Sequence, residues 1–425
     1  MSTISLPLKG KPNEHTPSSF WGIFKFWSPL LLLGFVGGIF WCMVMYLKFT
    51  KPPSFQMNSL FDPDVDLRVY LTAAHQLSTG TFQYFMSPWP DQLIFQYPPQ
   101  FLGWMTVLVR FFSDKEIQLG LGIVSAMCYL ASWIMIWSMI PEEKRRTWNA
   151  RIFFGLAFVS TNYLMNIHTG NMACPLIFLM VLQVFATSKG KYQLAGAAGI
   201  VSACIKPQFI FVWLAILLLT SKRGAFVRGS SIALGVASLP IVFFAGPQLG
   251  TLCASYVQFL LSAHINYPWW IVPKGTNASF EAYSYRFLGF TPFASSMATF
   301  QKGLLALTAV CGIGWVRRQK HIDTHLLLLL GVFLVYIAIQ GSLTELLEAS
   351  LCGLILAVVQ TMGNTTIRWI TLPAFAFTSG VAYFLPTGIT NAIPIIPLAL
   401  LLLMGGCLLT IRDTTIQSST FSLTP

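Results

Sequence analysis

Charge is what this sequence has least of. Only 9% of its 425 residues are Asp, Glu, Lys or Arg, against 55% hydrophobic, whereas soluble domains carry roughly a quarter charged. A soluble globular protein is excluded, and a polytopic membrane chain is implied. Acidic residues are scarcest, 14 against 26 basic, for a net charge of +12. Nucleic-acid binding would use such an excess, but here Lys and Arg fall in short runs between apolar segments, where orientation in the bilayer is the ordinary cause. No nucleic-acid partner is expected. The eight cysteines (Cys42, Cys128, Cys174, Cys204, Cys253, Cys311, Cys352, Cys407) show no close pairing, and all but Cys253 fall in apolar stretches. They read as small core residues, not as disulfides or metal ligands. HExxH, clustered His and Cys, the phosphate-cradling GxxxxGK and the GxSxG elbow are all absent, so no metal or cofactor is expected. There is no internal repeat and no low-complexity tract.

What is present is a succession of apolar runs. A polar segment, 1–26, with Lys9, Lys11 and Lys25, precedes a run from Trp27 to Leu47. That run is too long for a signal-peptide core and has no small-residue cleavage site, so it is expected to remain as the first span. Further spans are expected near 117–140, 152–167, 171–187, 192–206, 208–221, 230–246, 298–316, 324–341, 344–362, 369–386 and 390–411. The expectation is an all-α polytopic membrane protein of about twelve transmembrane helices forming one domain, 27–411. Most of the basic residues, including Lys144-Arg145-Arg146, Lys189, Lys191, Lys222, Arg223, Arg228, Arg317, Arg318, Lys320 and Arg412, then share a side with the N-terminus. By the positive-inside rule both termini face the cytoplasm, and two loops, 49–116 and 247–300, face outward. The Ser/Thr-rich tail, 412–425, is expected to be cytoplasmic and mobile.

The first loop breaks the apolar pattern most sharply. Between Phe61 and Leu102 it gathers Asp62, Asp64, Asp66 and Asp91, and a chain so poor in carboxylates seldom concentrates them without a use. VYLTAAHQL, with Val69, Leu71, Ala73, Ala74 and Leu77, predicts a short amphipathic helix lying on the membrane surface, since a crossing needs about 20 apolar residues. Tyr97-Pro98-Pro99 then opens an apolar helix to Phe112 that is also too short to cross. Making it a full span would put Lys144-Arg145-Arg146 outside and reverse every later loop, which the charge distribution rejects. In the second loop, Leu249–Ala263 predicts another amphipathic helix, followed by an aromatic-rich stretch suited to the headgroup level.

Candidate functional residues are the polar groups at the outer boundary, because ionisable groups near a bilayer are costly. Asp66 heads the first amphipathic helix, where it serves either as a catalytic carboxylate or merely as a partner of the helix dipole. His168-Thr169-Gly170-Asn171 forms a short outer turn, its Gly supplying an unusual dihedral. Lys206-Pro207 sets a lysine against the charge bias, for an anionic headgroup, a substrate phosphate or simple snorkelling. Arg286, in NASFEAYSYRFLG, is similar, and an arginine can clamp phosphate through two parallel bonds. Glu345 and Glu348 share a helical face and suit either substrate binding or interface anchoring. Asn277-Ala278-Ser279 is a glycosylation triplet of a kind frequent by chance.

Four of these segments in the same order, Asp66-Leu67-Arg68-Val69-Tyr70 with TAAHQLSTGTFQY, FQYPPQF, HTGNM through CIKPQF, and NASFEAYSYRFLG, resemble the GT-C glycosyltransferases. More narrowly, they are similar to the bacterial polyprenyl-phosphate-mannose-dependent mannosyltransferases. The resemblance covers about Asp62 to Gly289; beyond it only hydropathy matches. It implies a GT-C fold with outward-facing juxtamembrane helices and a general-base aspartate, matched by Asp66 through the D-x-x-x-Y spacing to Tyr70, with Asp64 as the fallback. Family Tyr-Pro-Pro, Gly-turn and Lys-Pro elements correspond to Tyr97, Pro98 and Pro99, to Gly170 and Asn171, and to Lys206 and Pro207. The sequence departs at His168, where the family often carries Gly-Gln-x-Asn, so the role of His168 stays open. The implied reaction moves a sugar, mannose favoured, from a polyprenyl-phosphate donor to a lipid or glycan acceptor at the outer face of the cytoplasmic membrane, with inversion. Lys206, Arg286 and His168 are the candidates for the donor phosphate. Two rivals stand beside it: a secondary transporter or flippase, whose plan also fits twelve helices, and a non-catalytic envelope scaffold.

Overall fold

A computed structural model of the chain describes residues 65–84, 95–158, 166, 169–266, 280–318, 324–340, 350–378 and 395–421. Within them every regular element is helical. The first expected span, Asp64, His168, Asn277, Glu345 and Glu348 lie outside the described residues.

Helix α1 (Val65–Ser78) has Asp66 in its first turn and His75 in its last, the charge placement a helix dipole favours. Its apolar residues are not laid on lipid. Leu67, Val69, Tyr70, Leu71, Ala73 and Ala74 are all buried, and α2 (Pro99–Phe111) packs along them. These positions span a little over half of the circumference, leaving Arg68 and His75 exposed on the other face, and what covers them is protein. Pro98 holds an extended backbone and Pro99 occupies the first turn of α2, where a fixed φ and a missing N–H cost nothing. At 1.5 Å per residue α2 spans about 20 Å, short of the ~30 Å hydrocarbon layer. Helix α3 (Asp114–Met139) starts a few residues before the expected span at 117, because Ser113 caps it: its side chain accepts from Glu116 N–H, and the Glu116 carboxylate accepts from Ser113 N–H at 2.8 Å.

The chain continues through α4 (Glu142–Arg145), α5 (Trp148–Phe158), α6 (Ala173–Ser188), α7 (Tyr192–Ile205), a 3₁₀ turn at Pro207–Phe209, α8 (Ile210–Leu219), α9 (Arg223–Ala245) and α10 (Leu249–Asn266). It closes with α11 (Phe280–Leu288), α12 (Pro292–Arg318), α13 (Thr324–Gln340), α14 (Ser350–Met362), α15 (Thr365–Thr378) and α16 (Ile395–Phe421). The expected amphipathic helix at Leu249–Ala263 is α10. Helix α16 runs past Arg412 to Phe421, so the tail expected to be mobile is helical that far.

Among the described residues three stretches are long and apolar enough to cross a membrane: Asp114–Met139, Arg223–Ser262, in which a 3₁₀ turn at Gly246–Gln248 joins α9 to α10, and Pro292–Arg317. They turn large apolar side chains outward, among them Ile123, Met127 and Ile134 on α3, Val236, Leu239 and Phe243 on α9, and Phe300, Leu307 and Val310 on α12. Such a belt is stable only against lipid or another protein. In contrast, α13 is buried all round from Leu328 to Ile337 and packs against α6, α8, α12 and α16. A helix apolar on every face belongs at a centre. The shorter apolar helices Ala173–Ser188 and Tyr192–Ile205 lie inside this bundle, where neighbouring helices complete the cover. Where α7 meets α9, the backbones nearly touch: a Cβ at Gly196 would overlap the Phe226 carbonyl, and one at Gly229 would overlap that of Gln193.

Candidate functional site

Asp66 and Asn171 stand 105 positions apart, yet Asn171 Nδ2 donates to Asp66 Oδ2 at 3.0 Å. The amide is fully engaged in holding the pair. Its own Oδ1 accepts from Ala173 N–H at 2.9 Å, tying it to the start of α6. Its backbone N–H donates to the Asn166 carbonyl at 2.9 Å. Gly170, just before it, has φ +73°, and a Cβ there would stand 2.6 Å from Leu67 Cβ. The turn therefore presses against α1 one residue past Asp66. Hydrogen bonds to a charged group are worth about 1.5–3 kcal/mol, and this one fixes the orientation of a half-buried carboxylate.

One helical turn beyond Asp66, Tyr70 faces Tyr97. Their hydroxyls are 2.6 Å apart in a buried contact, and their rings meet edge to face at 4.8 Å. The Tyr97 ring bridges the two helices, its centre 4.8 Å from that of Tyr70 on α1 and 4.8 Å from that of Phe101 on α2. Lys206 follows the last residue of α7, its N–H bonded to the Ser202 carbonyl at 2.9 Å. It is only 3% exposed, and its Nζ lies 5.8 Å from the centre of the Tyr97 ring, a cation over a π face. A snorkelling lysine would send its ammonium to the surface; this one is inside. Four segments distant in sequence thus converge on one locus: Asp66 and Tyr70, Tyr97, Gly170 and Asn171, and Lys206.

Arg286 is met by Tyr283 of its own helix. It lies on α11, which packs on α12, with its guanidinium 4.9 Å from the Tyr283 ring centre. Burial draws its pKa below the ordinary value, and Tyr283 partly offsets this. The sequence reading missed Tyr84, Asn166 and Tyr256. Tyr84 donates its hydroxyl to the Tyr97 carbonyl at 3.0 Å, and burial pushes that phenol well above its ordinary pKa, so it remains a donor throughout the working range. A signal for it was present, since Phe82-Gln83-Tyr84 recurs as Phe95-Gln96-Tyr97. In both copies Phe and Tyr are buried while Gln is not.

Chemically the locus offers an oriented carboxylate for taking a proton, a buried ammonium for an anion, and an aromatic wall suited to sugar rings or isoprenoid chains. Among the described residues no three His, Cys, Asp or Glu side chains converge to hold a metal ion. No protein-family model matches the chain, and no curated protein matches it.

Proposed function

We propose that this protein is an integral-membrane glycosyltransferase of the GT-C type, transferring a sugar, mannose favoured, from a polyprenyl-phosphate donor to a lipid or glycan acceptor outside the cytoplasmic membrane. The observation that carries the reading is the convergence of Asp66, Asn171, Tyr70, Tyr97 and Lys206, the residues singled out by the resemblance. The acceptor hydroxyl oxygen attacks the anomeric carbon, and Asp66 takes its proton. The anomeric C–O bond to the phosphate breaks, and the polyprenyl phosphate departs with the electron pair, inverting the configuration. Asn171 holds the carboxylate toward the acceptor; Lys206, on Tyr97, stabilises the charge gathering on the phosphate. Polyprenyl phosphate is already a good leaving group, so one base suffices. Arg286, against Tyr283 on α11, remains the second candidate for the donor phosphate.

The test is release of polyprenyl phosphate from lipid-linked sugars by purified protein in lipid. Asp66→Asn keeps the shape and the Asn171 contact but cannot accept the proton, so the rate should fall about 10²–10⁴-fold with donor binding retained. Lys206→Ala should weaken donor binding or turnover about 10- to 150-fold. Full turnover by Asp66→Asn would remove the single-base mechanism, with Asp64→Asn as the control that tells a wrong choice of carboxylate from a wrong mechanism. Accumulation of a polar solute by proteoliposomes, with no sugar released, would replace the enzyme by a transporter.

A further inference from the structure

The aromatic wall does not end at Tyr97. Tyr84, hydrogen-bonded to the Tyr97 carbonyl, packs its ring 5.0 Å from Tyr256 and 5.9 Å from Phe259, both on α10. Phe82 and Phe95 fill the other side of Tyr84, at 5.0 and 6.1 Å between ring centres. This places α10 against the site through a single layer of rings. Opposite that layer the helix exposes Val257, Leu260 and Leu261, an apolar face of the kind that lies in lipid.

Within the cluster one group is out of keeping. Tyr256 is 7% exposed, and its hydroxyl, shut off from solvent, has no hydrogen-bond partner among the described residues. A buried phenol is ordinarily bonded, as Tyr70, Tyr84 and Tyr97 all are. Phenylalanine would pack equally well here, as Phe82, Phe95 and Phe259 do, so among the described residues the hydroxyl adds no bond and costs a desolvated donor.

We propose that the Tyr256 hydroxyl is a substrate-binding group, donating to a phosphate oxygen of the lipid-linked donor as the donor enters from the lipid side of α10. The inference rests on the glycosyltransferase reading and extends its site from Lys206 to a second helix. A phenol O–H suits this place because it supplies a donor without bringing another charge into an apolar wall. Tyr84, whose hydroxyl is already committed to Tyr97, keeps the two rings aligned.

Tyr256→Phe separates a binding role from a structural one. The ligand-free variant should melt at or above the wild-type temperature, because the deleted hydroxyl has no partner to lose among the described residues. It should nevertheless raise the KM for the lipid-linked donor about 10-fold, with kcat less affected. Tyr84→Phe should behave in the opposite way, lowering the melting temperature by orphaning the Tyr97 carbonyl. Polyprenyl phosphate alone should raise the wild-type melting temperature, with a smaller rise for Tyr256→Phe; phosphatidylglycerol and inorganic phosphate should produce no such difference. An unchanged KM for Tyr256→Phe in an active enzyme overturns this inference and leaves the function standing. A lower melting temperature for ligand-free Tyr256→Phe also overturns it, since the hydroxyl would then be structural. Equal loss with phosphatidylglycerol makes the contact a general lipid one and overturns the donor assignment. Should the wild type neither respond to polyprenyl phosphate nor release it, both the function and the inference fall, whereas a Tyr256-dependent response without turnover supports the inference and removes only the enzymatic step.

Discussion

Gly170 carries two constraints at once: a left-handed backbone and the contact with Leu67. Alanine would meet both, with strain of about 1–3 kcal/mol from the dihedral alone and a displacement of the turn from α1. Because Asp66 and Asn171 flank the contact, Gly170→Ala should lower turnover by more than its loss of thermal stability accounts for, measured as rate at a temperature where the variant is fully folded. Leu67→Ala should not rescue it, since the clash is with Cβ. Gln183 is the opposite case, a polar group with no structural use in view. It is fully buried on α6, and among the described residues neither amide end has a partner. Removing an unsatisfied buried amide relieves about 1–3 kcal/mol, so Gln183→Leu should raise the melting temperature; a fall would reveal a polar partner bound at that point in the bundle.

Small residues decide how the helices pair. On α9, Gly229 touches the backbone of α7, while Gly235, six positions further on, has open space around it. Ser230 reinforces the contact, donating to the Gly196 carbonyl at 3.0 Å and accepting from Trp213 Nε1 at 2.8 Å. Close backbone approach of this kind drives helix association where lipid offers no hydrophobic gradient. Gly229→Ala should therefore separate α7 from α9 and destabilise the protein by about 1–3 kcal/mol or more. Gly235→Ala should be neutral or stabilising, through a helix propensity gain of up to about 1 kcal/mol. Thermal unfolding of the two variants in the same detergent checks the pair. Since Lys206 directly follows α7, the first substitution should also reduce activity.

At the scale of the molecule, the proposed orientation depends on α2 not crossing the membrane. Its length, with Gly103 closely packed on Ile241 of α9, is that of a helix docked within the bundle. With α3 as the next crossing, the positive-inside reading predicts Lys144, Arg145 and Arg146 in the cytoplasm and Asp66 outside. A single cysteine at position 145, in a variant lacking the native cysteines, should be closed to an impermeant maleimide added from outside intact cells and open once the membrane is permeabilised. Labelling from outside would reverse the plan and put the Asp66 site on the cytoplasmic face.

The sequence by itself determined the all-helical, apolar class and, among the described residues, roughly where most helices run, because hydropathy, helix length and caps are local properties that a run of residues carries wherever it is placed. It also marked Asp66, Tyr97, Gly170, Asn171 and Lys206 as out of keeping with their surroundings. Only the tertiary structure decided that these residues meet. The Tyr70 and Tyr97 hydroxyls close a separation of 27 residues, and the Asp66–Asn171 bond closes one of 105, distances over which periodicity carries no information. Packing likewise covered the apolar face of α1 with protein and brought Tyr256 to the wall behind Tyr97. An apolar face reads the same whether lipid or another helix will cover it, so which partner it meets is settled only when the whole chain has folded.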